Sequence, residues 1–258
     1  MIKQLTQYND VNEMLRRLLA EVQGILGEQF VGMYLDGSLA LGDFDEATSD
    51  LDVLVLTADF LPDEMVAELA AMHARLGESG TKWGYEMEVS YVPQAVLNQL
   101  PRREKVFVLP RIERGETLTL REHHMDWVLH GYILREYGLA IAGEPLTNLI
   151  DPVTPPMMQA ATRDLFNFWW RPMGMESPYL DSTGYRVYAI MTMCRILYTL
   201  RRGEVASKPA AARWAMAHLP ERWRGLVETA VRWQGEDVDN LAETVEFIRY
   251  VDGEILRI

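Results

Sequence analysis

Between positions 37 and 52 the chain reads Gly-Ser-Leu-Ala-Leu-Gly-Asp-Phe-Asp-Glu-Ala-Thr-Ser-Asp-Leu-Asp, with one apolar run ending just before it and another starting inside it. Phe30 to Leu35 predicts a buried strand running into Gly37, and Leu51 to Leu56 predicts a second. On that second strand Asp50 and Asp52 are two residues apart, so both carboxylates take one face while Leu51 and Val53 take the other. Parallel carboxylates repel each other unless a cation lies between them, and hard oxygen ligands of this kind suit magnesium. Gly37 has no side chain to block a phosphate, and Ser38 offers a hydroxyl and an amide where Leu39 to Gly42 predicts a first helical turn. A capped loop with an Asx-type turn accounts for most isolated Ser-Asp pairs. With both halves on consecutive strands, the pattern points instead to a metal-bound triphosphate.

Composition limits the partners. Of 258 residues, 48% are hydrophobic and 10% aromatic, which excludes a disordered chain. The 25 basic and 38 acidic side chains leave a net charge of −13, which argues against nucleic acid as the main partner. Acidity gathered in a cleft would attract a cationic small molecule; spread evenly, it is a solubilising surface. Cys194 is the single cysteine, in the apolar run Ile190 to Leu200, so an intrachain disulfide and a thiolate metal cluster are excluded and a buried thiol is expected. That lone thiol, and the lack of a charged-then-apolar leader at Met1 to Asp10, lead us to expect a cytoplasmic protein. No apolar run approaches membrane-spanning length, so a soluble chain is expected, and a monomer.

Periodicity supplies the remaining elements. Asp10, with Glu13 three residues on, is placed to cap a helix whose stripe is Val11, Met14, Leu15, Leu18, Val22, Ile25 and Leu26. Pro62 to Leu76 predicts a helix between the strand of Asp52 and a third strand, Tyr85 to Val92, which alternates as a strand should. Trp127 to Tyr137 predicts another helix. Three prolines between Asp151 and Pro156 stop both helix and ladder, and divide the chain into residues 1–150 and 151–258. Beyond them Met157 to Trp170, Tyr185 to Arg201, Lys208 to His218, Arg222 to Gln234 and Val238 to Leu256 predict a bundle of helices with short loops.

Gly37, Ser38, Gly42, Ser49, Asp50 and Asp52 resemble the signature of the nucleotidyltransferase superfamily, whose third carboxylate matches Glu88 in preference to its neighbour Glu86. The likeness narrows downstream. Asp126 to His130, Leu139 to Pro145, Cys194 to Leu200 with Gly203, Ala206 to Ala215 and Phe247 to Ile255 resemble the aminoglycoside adenylyltransferases of the streptomycin and spectinomycin class. The resemblance implies an α/β nucleotidyltransferase domain with a mixed sheet, then an all-α helical domain, and AMP transfer from ATP to a drug hydroxyl in a cleft between them. It implies Asp50, Asp52 and Glu88 as ligands of magnesium, with Glu88 also accepting the proton of the attacking hydroxyl. Gly37, Ser38 and Ser49 are implied to position phosphate oxygens, and Arg195 and Lys208 to bring positive charge to the ATP phosphates. Ordinary surface salt bridging is the alternative for Arg195 and Lys208. For the chain as a whole, the alternatives are another acceptor, such as a protein hydroxyl or a metabolite, or a nucleotide-binding module without turnover.

Two departures from the family stand out. The loop from Gly42 to Ser49 is one residue longer than in the best-known members and is acidic at Asp43, Asp45 and Glu46. Where streptomycin-modifying members hold the drug with a Trp and an acidic residue, the alignment places Ser182 and Tyr185, and neither replaces them directly. Asp181, Glu176 and Trp169 or Trp170 are the neighbouring residues able to supply a carboxylate and an aromatic face. Core packing is the default expectation for Trp169 and Trp170. The adjacent His123 and His124 diverge too much to share a zinc ion and are read as a solvated helix start.

Overall fold

The computed structural model describes residues 5–100, 106–123, 126–175 and 177–258, so His124 and Glu176 lie outside the described residues. The chain forms two compact units, Met1–Pro152 and Val153–Ile258.

In the first unit the described residues build one mixed sheet in the order β5-β4-β3-β2-β1-β6. Its strands are β1 (Phe30–Leu35), β2 (Leu51–Thr57), β3 (Met87–Pro93), β4 (Phe107–Ile112), β5 (Thr119–His123) and β6 (Leu139–Ala142). β2 and β3 are parallel and the other neighbours antiparallel. A parallel pair needs a crossover, and α3 (Asp63–Gly77) makes it. Odd-numbered side chains, Met33 and Leu35, Val53 and Val55, Val89 and Tyr91, pack in one core with α1 (Asn9–Leu26) and α3. Even-numbered Tyr34, Leu54, Leu56 and Val92 pack on the other face with Val96 and Leu97 of α5 (Gln94–Leu97) and Trp127 and Leu134 of α6 (Trp127–Glu136). With α1 and α3 on one side and α6 on the other, both faces of the inner strands are covered, which is why those strands read as nearly continuous apolar runs.

Local corrections to the sequence reading have physical causes. Asp10 does not cap α1: the helix begins at Asn9 behind Tyr8, and the Asp10 carboxylate accepts a hydrogen bond from Trp83 Nε1 at 2.6 Å. The third strand starts two residues later than its alternation suggests, because Tyr85 closes the short helix α4 (Lys82–Tyr85) and the Glu86 amide donates to the Lys82 carbonyl at 2.9 Å. His123 is not solvated: it ends β5 at 1% exposure against the Trp127 ring, and burial pulls its pKa down to about 4.

The second unit is helical. α7 (Pro155–Leu165) runs through a π-helical turn at Phe166–Trp170 into the short α8 (Arg171–Met173). There follow α9 (Thr183–Arg202), α10 (Lys208–His218), α11 (Arg224–Arg232) and α12 (Leu241–Ile255). The core gathers around α9, whose Ile190, Cys194 and Leu197 are fully buried, and burial pushes the Cys194 thiol up to about 12. Gly203 ends α9 in the left-handed conformation that glycine favours. Buried Arg186 ties the turn at Pro178–Asp181 to the chain ahead of α12, donating to the carbonyls of Leu180 and Val238 and to Asn240 Oδ1. Among the described residues no helix is long and apolar enough to cross a membrane.

Candidate active site

Along β1, β2 and β3 the even-numbered positions Tyr34, Leu54, Leu56 and Val92 belong to the second core, Ser90 is a buried polar exception, and at one end of the sheet the series continues as Asp36, Asp52 and Glu88. Parallel register makes Asp52 and Glu88 direct partners, and the Asp36 amide donates to the Asp52 carbonyl at 3.0 Å. Asp50, just ahead of β2, completes the cluster. Ligand oxygens of Asp50, Asp52 and Glu88 all lie within 4.8 Å of one another. Like charges directly opposite each other on a sheet are destabilising, so this arrangement is held against its own repulsion.

The electrostatics follow from that geometry. Burial, then the charges of Asp50, Asp36 and Glu88, raise the Asp52 pKa well above the carboxylate range, with His130 opposing them. Burial and Asp50 also raise Glu88, while Arg111 pulls it back. Arg111, on β4, holds Glu88 Oε2 at 3.2 Å with Nη2 and lies 3.5 Å from Glu113 through Nε. Hard oxygen donors this close and this reluctant to ionise together fit a divalent cation, because its charge removes the repulsion.

The Gly-Ser turn abuts this cluster. Gly37 and Ser38 open the five-residue helix α2 (Gly37–Leu41), and Ser38 Oγ is buried with no hydrogen-bond partner among the described residues. A buried hydroxyl left unpaired is costly, which fits a ligand oxygen beside it. Ser49 closes the acidic loop on itself: its amide donates to the Asp45 carbonyl at 2.8 Å and its Oγ accepts from the Asp45 amide at 3.0 Å. The loop is also pinned from outside, where the Phe44 ring sits 4.9 Å from Tyr8 and 5.3 Å from Trp83, and Lys82 Nζ bonds the Glu46 carbonyl.

Chain comparisons place this architecture among known proteins. Residues 175–254 match the family described as aminoglycoside adenylyltransferase, C-terminal domain. The aminoglycoside (3'')(9) adenylyltransferase of Escherichia coli is 25% identical over 96% of this chain and 96% of its own length. The spectinomycin 9-adenylyltransferase of Campylobacter jejuni is 24% identical over 92% of this chain and 91% of its own. The chain resembles the aminoglycoside adenylyltransferases. The fold agrees: the crystal structure of spectinomycin adenyltransferase AAD(9) from Enterococcus faecialis, with ATP and spectinomycin, superposes with a TM-score of 0.74 at 18% identity, covering 95% of this chain and 98% of that one.

Of the residues that the adenylyltransferase resemblance singles out, the first unit brings Asp50, Asp52 and Glu88 together and sets Gly37 against Asp52. Glu86 stays apart in an ion pair with Arg114, accepting from Nη2 at 2.8 Å. Arg195 and Lys208 belong to the second unit. Arg195 is partly buried in α9, and Lys208 opens α10 behind Ser207, whose Oγ caps the helix by accepting from the Ala210 amide at 3.2 Å. Lys208 Nζ lies 5.2 Å from the Tyr188 ring centre. Trp170 is buried while Trp169 is 40% exposed, and Tyr179 and Tyr185 stack with centroids 5.3 Å apart. Asp36, Arg111 and His130 were missed by sequence reasoning, since each becomes part of the site only through pairings between distant segments.

Proposed function

We propose that this chain transfers AMP from ATP to a hydroxyl of an aminoglycoside-type antibiotic of the spectinomycin and streptomycin group, releasing pyrophosphate. The observation that carries the reading is the meeting of Asp50, Asp52 and Glu88 beside the Gly37-Ser38 turn, within a chain whose relatives along nearly all its length are adenylyltransferases. Asp50, Asp52 and Glu88 would hold magnesium. That ion, when bound, neutralises triphosphate charge and makes the α-phosphorus more electrophilic.

The remaining chemistry belongs to side chains. Ser38 Oγ, buried and unpaired, donates to a phosphate oxygen, and Gly37 keeps that approach open. Glu88, its pKa raised by burial and by Asp50, accepts the proton as the drug oxygen bonds to the α-phosphorus and the bond to pyrophosphate breaks. Arg111 fixes the orientation of that carboxylate. Ser49 is assigned to the phosphates through its hydroxyl hydrogen, and Arg195 and Lys208 to the phosphates as cationic donors from residues 151–258. We assign residues 1–150 to nucleotidyl transfer, and expect a monomer working in the cytoplasm, where ATP and magnesium are at hand. The test is mass spectrometry of spectinomycin, streptomycin and other aminoglycosides incubated with the protein, ATP and magnesium. A gain of one AMP on any of them supports the reading; no gain on any compound while ATP still binds sinks the acceptor assignment.

A further inference from the structure

Asp36 and His130 pair beside the carboxylates, Asp36 buried and the His130 side chain 31% exposed, and the proposed chemistry leaves them unused. Asp36 is 6% exposed at the end of β1, and its Oδ2 meets His130 Nδ1 at 2.6 Å. Its other oxygen, Oδ1, is buried with no partner among the described residues. His130 comes from the first turn of α6, packs on Trp127 with ring centres 5.3 Å apart, and lines one cleft with Asp36, Asp52, Glu88 and Arg111. Stability does not explain the pair. Burying the Asp36 carboxylate costs desolvation that an apolar residue of similar size would avoid, and its unpaired oxygen adds to that cost.

The arrangement is that of an oriented donor. A carboxylate on Nδ1 fixes the ring plane, and leaves Nε2–H as the donor that a ligand in the cleft can use. We propose that His130 donates this Nε2–H to a phosphate oxygen of the bound nucleotide, with Asp36 as the positioning residue that holds the imidazole in place. The inference rests on the nucleotidyl-transfer reading and adds a phosphate contact to it. The cleft's own charges choose the partner. Burial alone would pull the His130 pKa down, but the charge and hydrogen bond of Asp36, with help from Asp126, raise it to about 9, so the ring is an imidazolium at neutral pH. With Arg111 in the lining of the same cleft, the imidazolium offers an anionic phosphate oxygen a charged donor.

Calorimetry on the full chain, with magnesium and a non-hydrolysable ATP analogue, tests the assignment. Charge-assisted hydrogen bonds contribute enough that His130→Phe should weaken nucleotide binding by about tenfold or more. Asp36→Asn should act through the same contact, so the double variant Asp36→Asn with His130→Phe should be no weaker than His130→Phe alone. Because either single change leaves a buried group unpaired, Asp36→Leu with His130→Leu serves as the fold-safe variant. It should melt no lower than the wild type and still bind the nucleotide about tenfold more weakly, while spectinomycin affinity is unchanged. Wild-type nucleotide affinity in that variant overturns the inference, as does loss of spectinomycin binding with nucleotide binding intact. If the unmodified chain itself binds no nucleotide, the nucleotidyl-transfer reading falls and this contact falls with it.

Discussion

A Cβ on residue 37 would lie 2.6 Å from Cγ of Asp52, so the carboxylate occupies space that only a glycine at that position leaves free. Gly37 also has φ +60°, where any other residue is strained. Gly37→Ala therefore carries two penalties: backbone strain of about 1–3 kcal/mol, and displacement of Asp52 from its place beside Asp50 and Glu88. We expect a lower melting temperature and at least a tenfold loss of AMP transfer. A variant that melts lower yet transfers at the wild-type rate would mean that the Asp52 carboxylate tolerates the shift and that the contact is purely structural.

The magnesium assignment separates stability from activity. Asp52→Asn removes a carboxylate whose ionisation is resisted by burial and by Asp50, Asp36 and Glu88, so the metal-free variant should melt at or above the wild type. Its transfer rate, and that of Asp50→Asn, should fall by about 10³-fold or more. Added magnesium should raise the melting temperature of the wild type and leave both variants nearly unmoved. An equal magnesium-induced shift in all three proteins would place the ion elsewhere.

Glu88 and Glu86 offer a matched comparison. Glu88→Gln should abolish turnover while nucleotide binding persists, because an amide cannot accept the acceptor's proton. Glu86 is engaged with the half-exposed Arg114, a kind of pair that contributes little, so Glu86→Gln should behave nearly as the wild type. Steady-state rates with calorimetric nucleotide affinities decide it, and a swap of the two phenotypes would move the base to Glu86.

How much of this was legible in the chain depends on how local the determinant is. Phe30–Leu35 was readable to the residue, and the helix Lys208–His218 likewise, because period and punctuation agree there. The Asp50 and Asp52 pairing follows from the two-residue pleat, which needs no tertiary information. Alternation through Tyr85 and Glu86 misled, since a helical turn closed by the Glu86 amide overrides a period that is only suggestive over so short a stretch. Asp10 has the chemistry of a cap, but Trp83, far along the chain, claims its carboxylate. Asp36 with His130, and Glu88 with Arg111, depend on strand register and on where α6 lies over the sheet, and no sequence period encodes either.

Acid should destabilise the first unit through His73. This residue is buried against Tyr91, with Nε2 and the phenol oxygen 2.7 Å apart, and burial lowers its pKa from 6.5 to about 4. The folded chain thus keeps the ring neutral where the unfolded chain protonates it, so the unfolded state binds more protons between those values. His73 should contribute stability that is fully present above pH 6.5 and progressively lost as pH falls toward 4. Denaturant melts across that window should show the loss in the wild type, and a shallower slope in His73→Gln. Identical slopes in the two proteins would assign the acid sensitivity to other groups.

The family resemblance puts drug choice on the segment ahead of Arg195. By that resemblance Tyr185 stands near the place of an acid in streptomycin-modifying members, and here it belongs to an aromatic cluster: its hydroxyl accepts from Trp169 Nε1 at 3.2 Å, and its ring lies 6.2 Å from Trp170. The neighbouring Asp181 is exposed and offers a carboxylate, but from a different element, the turn before α9. A guanidinium needs a carboxylate as well as an aromatic face, because burying its charge unpaired is costly. Spectinomycin is therefore expected to bind more tightly than streptomycin when each is titrated by calorimetry in the presence of a non-hydrolysable ATP analogue. Tyr185→Asp restores a carboxylate on the helix itself and should tighten streptomycin by about tenfold, the scale of one charge-assisted hydrogen bond. Equal affinity for the two drugs in the wild type, with no gain in Tyr185→Asp, would show that Tyr185 does not set the preference. Heat from neither drug, with clear nucleotide binding, would point to a different acceptor.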